Sequence, residues 1–188
     1  CEVVPTAKAG DTLVMEVSSY QLEDSRFFKP KAAVIMNITA DHIEHHGAMS
    51  GYIEAKARIF RDQGPDDWCV FNAFDPLTMK LSRRCPSRKL YFGPKALGVH
   101  AWVEGGSIRA RLPGKSEASF PLPPIPGEHN QHNAMAAVLL ALCQGVKPAA
   151  VRAGLKSFKG VEHRLEECGS VAGIRCVNDS KATNVDST

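Results

Sequence analysis

The sequence lacks the features that would put it in a specialised class. Its six cysteines (Cys1, Cys69, Cys85, Cys143, Cys168 and Cys176) include no CxxC pair. That removes the usual spacing of a structural zinc site or a thiol redox motif, so they read as reduced thiols of a cytosolic protein. No apolar run is long enough to cross a bilayer, and no signal-peptide pattern occurs, so no membrane partner is expected. Neither sign of charge dominates: 23 Lys and Arg face 20 Asp and Glu, for a net charge of +3. So weak a balance does not argue for nucleic acid, although it leaves anionic small molecules open. Internal repeats and low-complexity tracts are absent, which excludes a solenoid or a disordered tract.

What remains is an ordinary globular composition, 44% hydrophobic and 23% charged over 188 residues. The length suits one medium domain, or one domain with part of another, and can bury a core without staples. Thr12–Val17 (TLVMEV) and Lys31–Thr39 (KAAVIMNIT) read as buried strands, the kind found in a parallel sheet covered on both faces. Gln21–Phe28 between them suits a short helix that ends before Pro30. Ser50 is a candidate N-cap for a helix over Gly51–Arg61, with Tyr52, Ile53, Ala57 and Phe60 at helical spacing. Trp68–Phe71 and Lys89–Phe92 predict further strands. Asp75-Pro76 between them opens a helix to about Arg84. Alternating strands and helices predict an α/β fold.

The pattern then changes. Val99–Leu112 predicts a β-hairpin around Glu104-Gly105-Gly106-Ser107, Pro121–Pro126 (PLPPIP) an extended connector, and Gln131–Gln144 a helix stopped by Gly145. Pro148–Ser157 predicts another helix. Beyond a domain boundary near Lys159-Gly160, Arg164–Cys168 and Ile174–Val177 predict paired strands around Gly169–Gly173.

Polar residues gather where the predicted strands end. Glu16 and Ser18 close the first strand, on the side where open α/β sheets hold ligands, and a carboxylate there can hold Mg²⁺ beside a phosphate; the other reading is a solvated edge carboxylate. After the second strand come Asn37, Thr39, Asp41 and His42. His42, His45 and His46 fall at i, i+3 and i+4, a spacing seen in zinc sites. However, Gly47 argues for a loop, and no other Cys or His motif completes a ligand set. A hard metal with oxygen ligands and one imidazole fits as well, and His45 and His46 read as a solvated pair. Lys56 lies among apolar helical neighbours. It is either a solvated charge or a partly buried amine able to react with CO₂. Asn130 and Asn133 share one helix face and could hydrogen-bond a purine edge, unless Asn130 merely caps the helix. His163, Arg164, Asp179, Lys181 and Thr183 supply phosphate charge and a carboxylate able to accept from a ribose hydroxyl.

In this order, "EVSSYQLE", "NITADHIEHHG", "YIEAKARIF", "GEHNQHNAMAA", "GVEHRLE" and "NDSKATN" resemble the motifs of the Mur ligase family across nearly the whole chain. The resemblance implies a P-loop-type, mostly parallel central sheet flanked by helices, with a small antiparallel hairpin and the start of a C-terminal Rossmann-like domain. It implies an ATP-dependent amide ligase, most similar to the branch that adds D-glutamate to UDP-N-acetylmuramoyl-L-alanine through an acyl phosphate, acting as a cytoplasmic monomer. By resemblance, Glu16, His42 and a carbamylated Lys56 would hold Mg²⁺ at two sites. Asn130, Asn133, His163 and Arg164 would surround ATP, with Asp179 and Lys181 at ribose and phosphate. Ser18 and Gln21 would lie near the muramoyl substrate, and Thr183 would seat D-glutamate. His42, Lys56 and Lys181 would carry the catalysis.

The family's glycine-rich GTxGK[ST] loop does not occur in the sequence. The chain therefore reads as a central ATP-binding domain over residues 1–159 without its first strand and P-loop, followed by the opening of a C-terminal domain over 160–188. By itself such a piece is expected to be inactive. The rival readings are a non-catalytic globular piece with weak nucleotide or Mg²⁺ affinity and a related Mur-type ligase such as a folylpolyglutamate synthase.

Overall fold

A computed structural model of the chain describes residues 4–40 and 43–182. Six strands form one sheet in sequence order: β1 (Ala32–Ile35), β2 (Trp68–Asn72), β3 (Arg88–Phe92), β4 (Ala101–Glu104), β5 (Ser107–Ala110) and β6 (Ala118–Pro121). β1, β2 and β3 run parallel, and β4 joins them in parallel through the single pairing of Phe92 with Ala101. β4, β5 and β6 then alternate direction. Gly105 and Gly106, both at positive φ (57° and 70°), form the two-residue hairpin turn whose twist matches the flanking strands.

The central strands are apolar on both faces because helices cover both. Along β2 the side chains alternate: Cys69 and Phe71 join one core with Ile35, Tyr52, Phe60 and Leu81, while Val70 joins the other with Leu90, Phe92, Ile108 and Met135. On the first face lie α3 (Met49–Ala57), a 3₁₀ turn (Arg58–Phe60) and α4 (Pro76–Ser82), with α1 (Ser19–Asp24) packed on α3; the short α2 (Ile43–His46) leads into α3. On the second face α5 (Glu128–Cys143) crosses β1 to β5, and α6 (Pro148–Ser157) packs on β6. A separate exposed hairpin, β7 (Glu166–Val171) and β8 (Ile174–Asn178), follows. Among the described residues no helix is long and apolar enough to cross a membrane.

Some expectations change. Thr12–Val17 is not a strand. It makes no ladder with β1, and Leu13, Met15 and Val14 stand 46%, 57% and 94% exposed; an apolar run without a hydrogen-bonding neighbour has no reason to stay in a sheet. Ser50 does not cap α3. The helix starts earlier, with Tyr52 N–H donating to Ala48 O at 3.2 Å, because α2 and α3 meet at a tight junction. There a Cβ on residue 51 would stand 2.3 Å from the His46 carbonyl oxygen, so Gly51 is required. The connector begins one residue later than read, because an edge strand not expected from sequence, Ala118–Pro121, precedes it, with Phe120 buried and Pro121 tolerated at the edge. The β7–β8 turn is only Ala172-Gly173, since Gly169 lies inside the ladder beside an irregularity in register.

Asp75 ties the layers together. Its Oδ1 accepts from Leu77 N–H (2.7 Å) and Thr78 N–H (3.3 Å) at the start of α4. Its Oδ2 accepts from Ile38 N–H (2.7 Å) beyond the end of β1. Asp75→Ala removes a helix cap and orphans a partly buried N–H, costs of about 1 and about 1–3 kcal/mol. Urea denaturation should show about 2–4 kcal/mol of lost stability at an unchanged slope. A loss below about 0.5 kcal/mol, the range of neutral surface changes, would contradict the linking role.

Candidate functional site

α5 builds one wall of a cleft of about 1220 Å³. Asn130, Asn133, Ala134, Ala137, Val138 and Ala141 line it at intervals of three and four residues, one stripe of one helix. The alanines keep the floor wide, and the asparagines stand at the helix's amino end. Asn130 does not cap α5; its Nδ2 donates back to Pro126 O (2.5 Å) and Gly127 holds the N-cap position. Between them His132 stacks on Phe74 with ring centres 4.3 Å apart. Burial, opposed by nearby Glu128, pushes its imidazole below the usual pKa, so it is neutral near pH 7.

The other walls are the Pro123–Pro126 connector, Leu155 and Phe158 of the α6 region, and the strand hairpin. Glu16 also reaches the cleft, although its segment is not a strand. The charges lining it are mixed: the carboxylates Glu16, Glu162, Glu166 and Glu167 against the cations Lys159, Arg164 and Arg175.

Residues 163–182 fold into a knot beside the cleft. His163 N–H donates to Glu166 Oε2 (2.9 Å), and its Nδ1 lies 2.8 Å from Asn178 Nδ2. Its carbonyl accepts from Lys181 N–H (3.1 Å). Asp179 Oδ1 accepts from Leu165 N–H (3.1 Å), while Oδ2 is buried with no hydrogen-bond donor among the described residues. His163 and Leu165 both adopt positive φ, 66° and 46°. Non-glycine residues there cost of order 1 kcal/mol each and cluster at functional sites. An acceptor oxygen buried without a donor calls for a partner that the described residues do not supply.

Of the residues singled out from sequence, the cleft gathers Glu16, Asn130, Asn133 and Arg164. His163, Asp179 and Lys181 are brought together in the knot but do not line it. Ser18 and Gln21 are instead engaged with each other as the capping box of α1: Ser18 Oγ accepts from Gln21 N–H (3.3 Å) and Gln21 Oε1 from Ser18 N–H (2.9 Å). Lys56 sits in the last turn of α3. Its Nζ donates to Asn37 O (3.0 Å) and lies 4.8 Å from the centre of the Tyr52 ring, so its stem is half-buried, with the amine at the loop after β1. His42 and Thr183 lie outside the described residues. His46 is not solvated, since its side chain is 1% exposed. Sequence reading missed Leu155, Phe158 and Arg175. The spacing of Val151 and Leu155 on α6, with Phe158 at its C-cap, carried a signal, whereas Arg175 had none.

The most perturbed titratable pair lies elsewhere, in the core. Burial pushes the Cys69 thiol up, and hydrogen bonds, first from Cys69 and then from Ser87, bring Cys85 down to about 6. Both are buried and neither lines the cleft.

Comparison with known proteins agrees with this geometry. Residues 4–141 match the family model of the Mur ligase middle domain. A UDP-N-acetylmuramoylalanine–D-glutamate ligase of Elusimicrobium minutum is 45% identical over 190 aligned residues, taking in 100% of this chain and 41% of that protein. Its counterpart in Pelotomaculum thermopropionicum is 45% identical over 94% of this chain and 39% of its own length. The chain thus spans about two fifths of the length of these curated relatives. Among solved structures, MurF of Acinetobacter baumannii superimposes with a TM-score of 0.63 at 26% identity over 80% of this chain and 34% of its own. For MurC of Thermotoga maritima the values are 0.62, 26%, 86% and 36%. The parallel sheet, its antiparallel extension and the covering helices are those of the family, and the chain belongs to the Mur ligases, with the middle domain over residues 4–141.

Proposed function

We propose that the whole protein is an ATP-dependent, ADP-forming ligase that joins D-glutamate to UDP-N-acetylmuramoyl-L-alanine in peptidoglycan synthesis, as a cytoplasmic monomer acting on small molecules. The observation that carries this reading is the 45% identity, along the whole of this chain, to a ligase named for that reaction. The γ-phosphate of ATP passes to the substrate carboxylate, giving an acyl phosphate. The amine of D-glutamate then attacks the acyl carbon, the amide bond forms, a proton leaves the nitrogen and phosphate departs. Little covalent chemistry falls to the protein, so positioning and charge neutralisation dominate.

The chain's own residues divide that work. Asn130 and Asn133 offer carboxamides to the edge of a purine along one helix face. Asp179 Oδ2 has acceptor capacity for a ribose hydroxyl, and Arg164 and Lys181 offset phosphate charge. The mixed lining suits a nucleotide that arrives with a cation better than a bare polyanion. Glu16, His42 and Lys56 would hold Mg²⁺, which neutralises the transferring phosphoryl group. A carboxylate fits such an oxygen-seeking ion, and the single imidazole completes the set that the resemblance names. Lys56 fits only as a carbamate, because its Nζ here donates to a carbonyl and an ammonium cannot be a ligand. Reaction with CO₂ would turn the half-buried amine into a carboxylate at the same loop. Ser18 and Gln21 would act near the muramoyl substrate by fixing the start of α1. A phosphate-cradling loop is also needed, and these 188 residues contain none of the GTxGK[ST] form.

Lys56→Ala in the full-length protein should lose most activity, and a short-chain carboxylate should restore part of it. Unchanged turnover would refute the carbamate. Lys181→Ala should lower kcat by about 10²-fold, the range for removal of one preorganised charge-stabilising donor. Thr183→Ala should mainly raise KM for D-glutamate and leave KM for ATP nearly alone. Steady-state kinetics with each substrate varied decides this. A rise in KM for ATP alone would take Thr183 off the amino-acid side.

A further inference from the structure

A second cluster of ligating side chains lies apart from the cleft, where α1 meets α2. Two imidazoles converge there on one carboxylate oxygen. Glu23 Oε2 is 2.9 Å from His45 Nε2 and 3.5 Å from His46 Nδ1. The three ligand atoms all lie within 4.8 Å of one another. A tetrahedral zinc ion with bonds near 2.1 Å holds its ligand atoms roughly 3.4 Å apart, so small rotations of His45 and Glu23 would close the set.

The surroundings are built rather than incidental. The His46 ring is buried, 5.6 Å from the Tyr20 ring and 5.5 Å from the Tyr52 ring, centre to centre. Its far nitrogen, Nε2, lies 3.0 Å from Ser19 Oγ. When Nε2–H donates to that hydroxyl, Nδ1 turns its lone pair toward the Glu23 carboxylate. In that tautomer Nδ1 and Glu23 Oε2, 3.5 Å apart, can ligate one ion together. An imidazole whose other nitrogen is held by an outer partner is also the usual arrangement of a metal-bound histidine. The His45 ring lies tilted at 41° against Tyr20 with ring centres 4.2 Å apart, and the backbone of Glu23 is pinned by a hydrogen bond from Arg58 to its carbonyl.

We propose that Glu23, His45 and His46 form a binding site for a borderline transition-metal ion, Zn²⁺ above all, with an open fourth position that water fills. Two nitrogens and one oxygen suit zinc, not magnesium, which takes an octahedral oxygen shell. Glu23 and His45 are 43% and 46% exposed, which leaves an entry path. The ion would clamp α1 to α2. This site stands on its own geometry, independently of the ligase reading.

The test is zinc binding by the metal-free full-length protein, by equilibrium dialysis in excess MgCl₂, with Co²⁺ as a spectroscopic substitute. The expected result is one zinc per chain, and four-coordinate cobalt bands without thiolate charge transfer. Affinity should fall by at least about tenfold in both His45→Ala and Glu23→Gln, since even outer-partner losses cost that much. Both side chains are half-exposed, and circular dichroism checks that the variants fold. Three results would each overturn the site: no zinc retained by the wild type, equal affinity in His45→Ala, or cobalt bands of thiolate type. The second would place zinc at other histidines, and the third at the cysteines.

Discussion

The burial of α5 against the sheet is the interaction on which the rest depends. Ala134, Met135, Ala136, Val138 and Leu139 are all at most 5% exposed, and the helix crosses five of the six strands. Each large apolar side chain so buried contributes about 1.5–3 kcal/mol relative to exposure. The same helix turns an overlapping stripe, from Asn130 to Ala141 and sharing Ala134 and Val138, into the cleft. Fold and site therefore share one rigid body: whatever fixes α5 on the sheet also fixes the two carboxamides. A site carried on a packed helix is held more closely than one on a loop.

The opposite side of the cleft is built differently. The β7–β8 hairpin is exposed throughout most of its length, with Val171 and Ile174 at 70% and 71%. Its order comes from its own backbone ladder and from polar contacts among His163, Leu165, Glu166, Asn178 and Asp179. A cleft with one wall in the core and one held by surface hydrogen bonds has a stiff side and a compliant side.

Much of this was legible in sequence. The parallel strands β1, β2 and β3 were visible as short apolar runs because burial on both faces erases alternation. Gly105-Gly106 announced its hairpin, and Asp75-Pro76 its helix, because turn and cap chemistry are local. Asn130 and Asn133 were legible as a pair since helical spacing alone puts them on one face. What failed was non-local. Thr12–Val17 has strand composition, but composition cannot supply a neighbouring ladder. Ser50 has capping chemistry, but the α2–α3 junction at Gly51 decided where the helix begins. His46 was read as solvated because no local pattern shows that Tyr20 and Tyr52 enclose it. Arg175 joins the cleft only through the pairing of β8 with β7.

The central claim is that the stripe on α5 faces a bound nucleotide. Photo-crosslinking of the full-length protein with a Mg²⁺–azidoadenine nucleotide, followed by peptide mapping, tests it most directly. Labelling of the peptide carrying Asn130 and Asn133, suppressed by excess ATP, is the expected result. ATP-sensitive labelling confined to peptides from the opposite face of the sheet, α3 or α4, would contradict it.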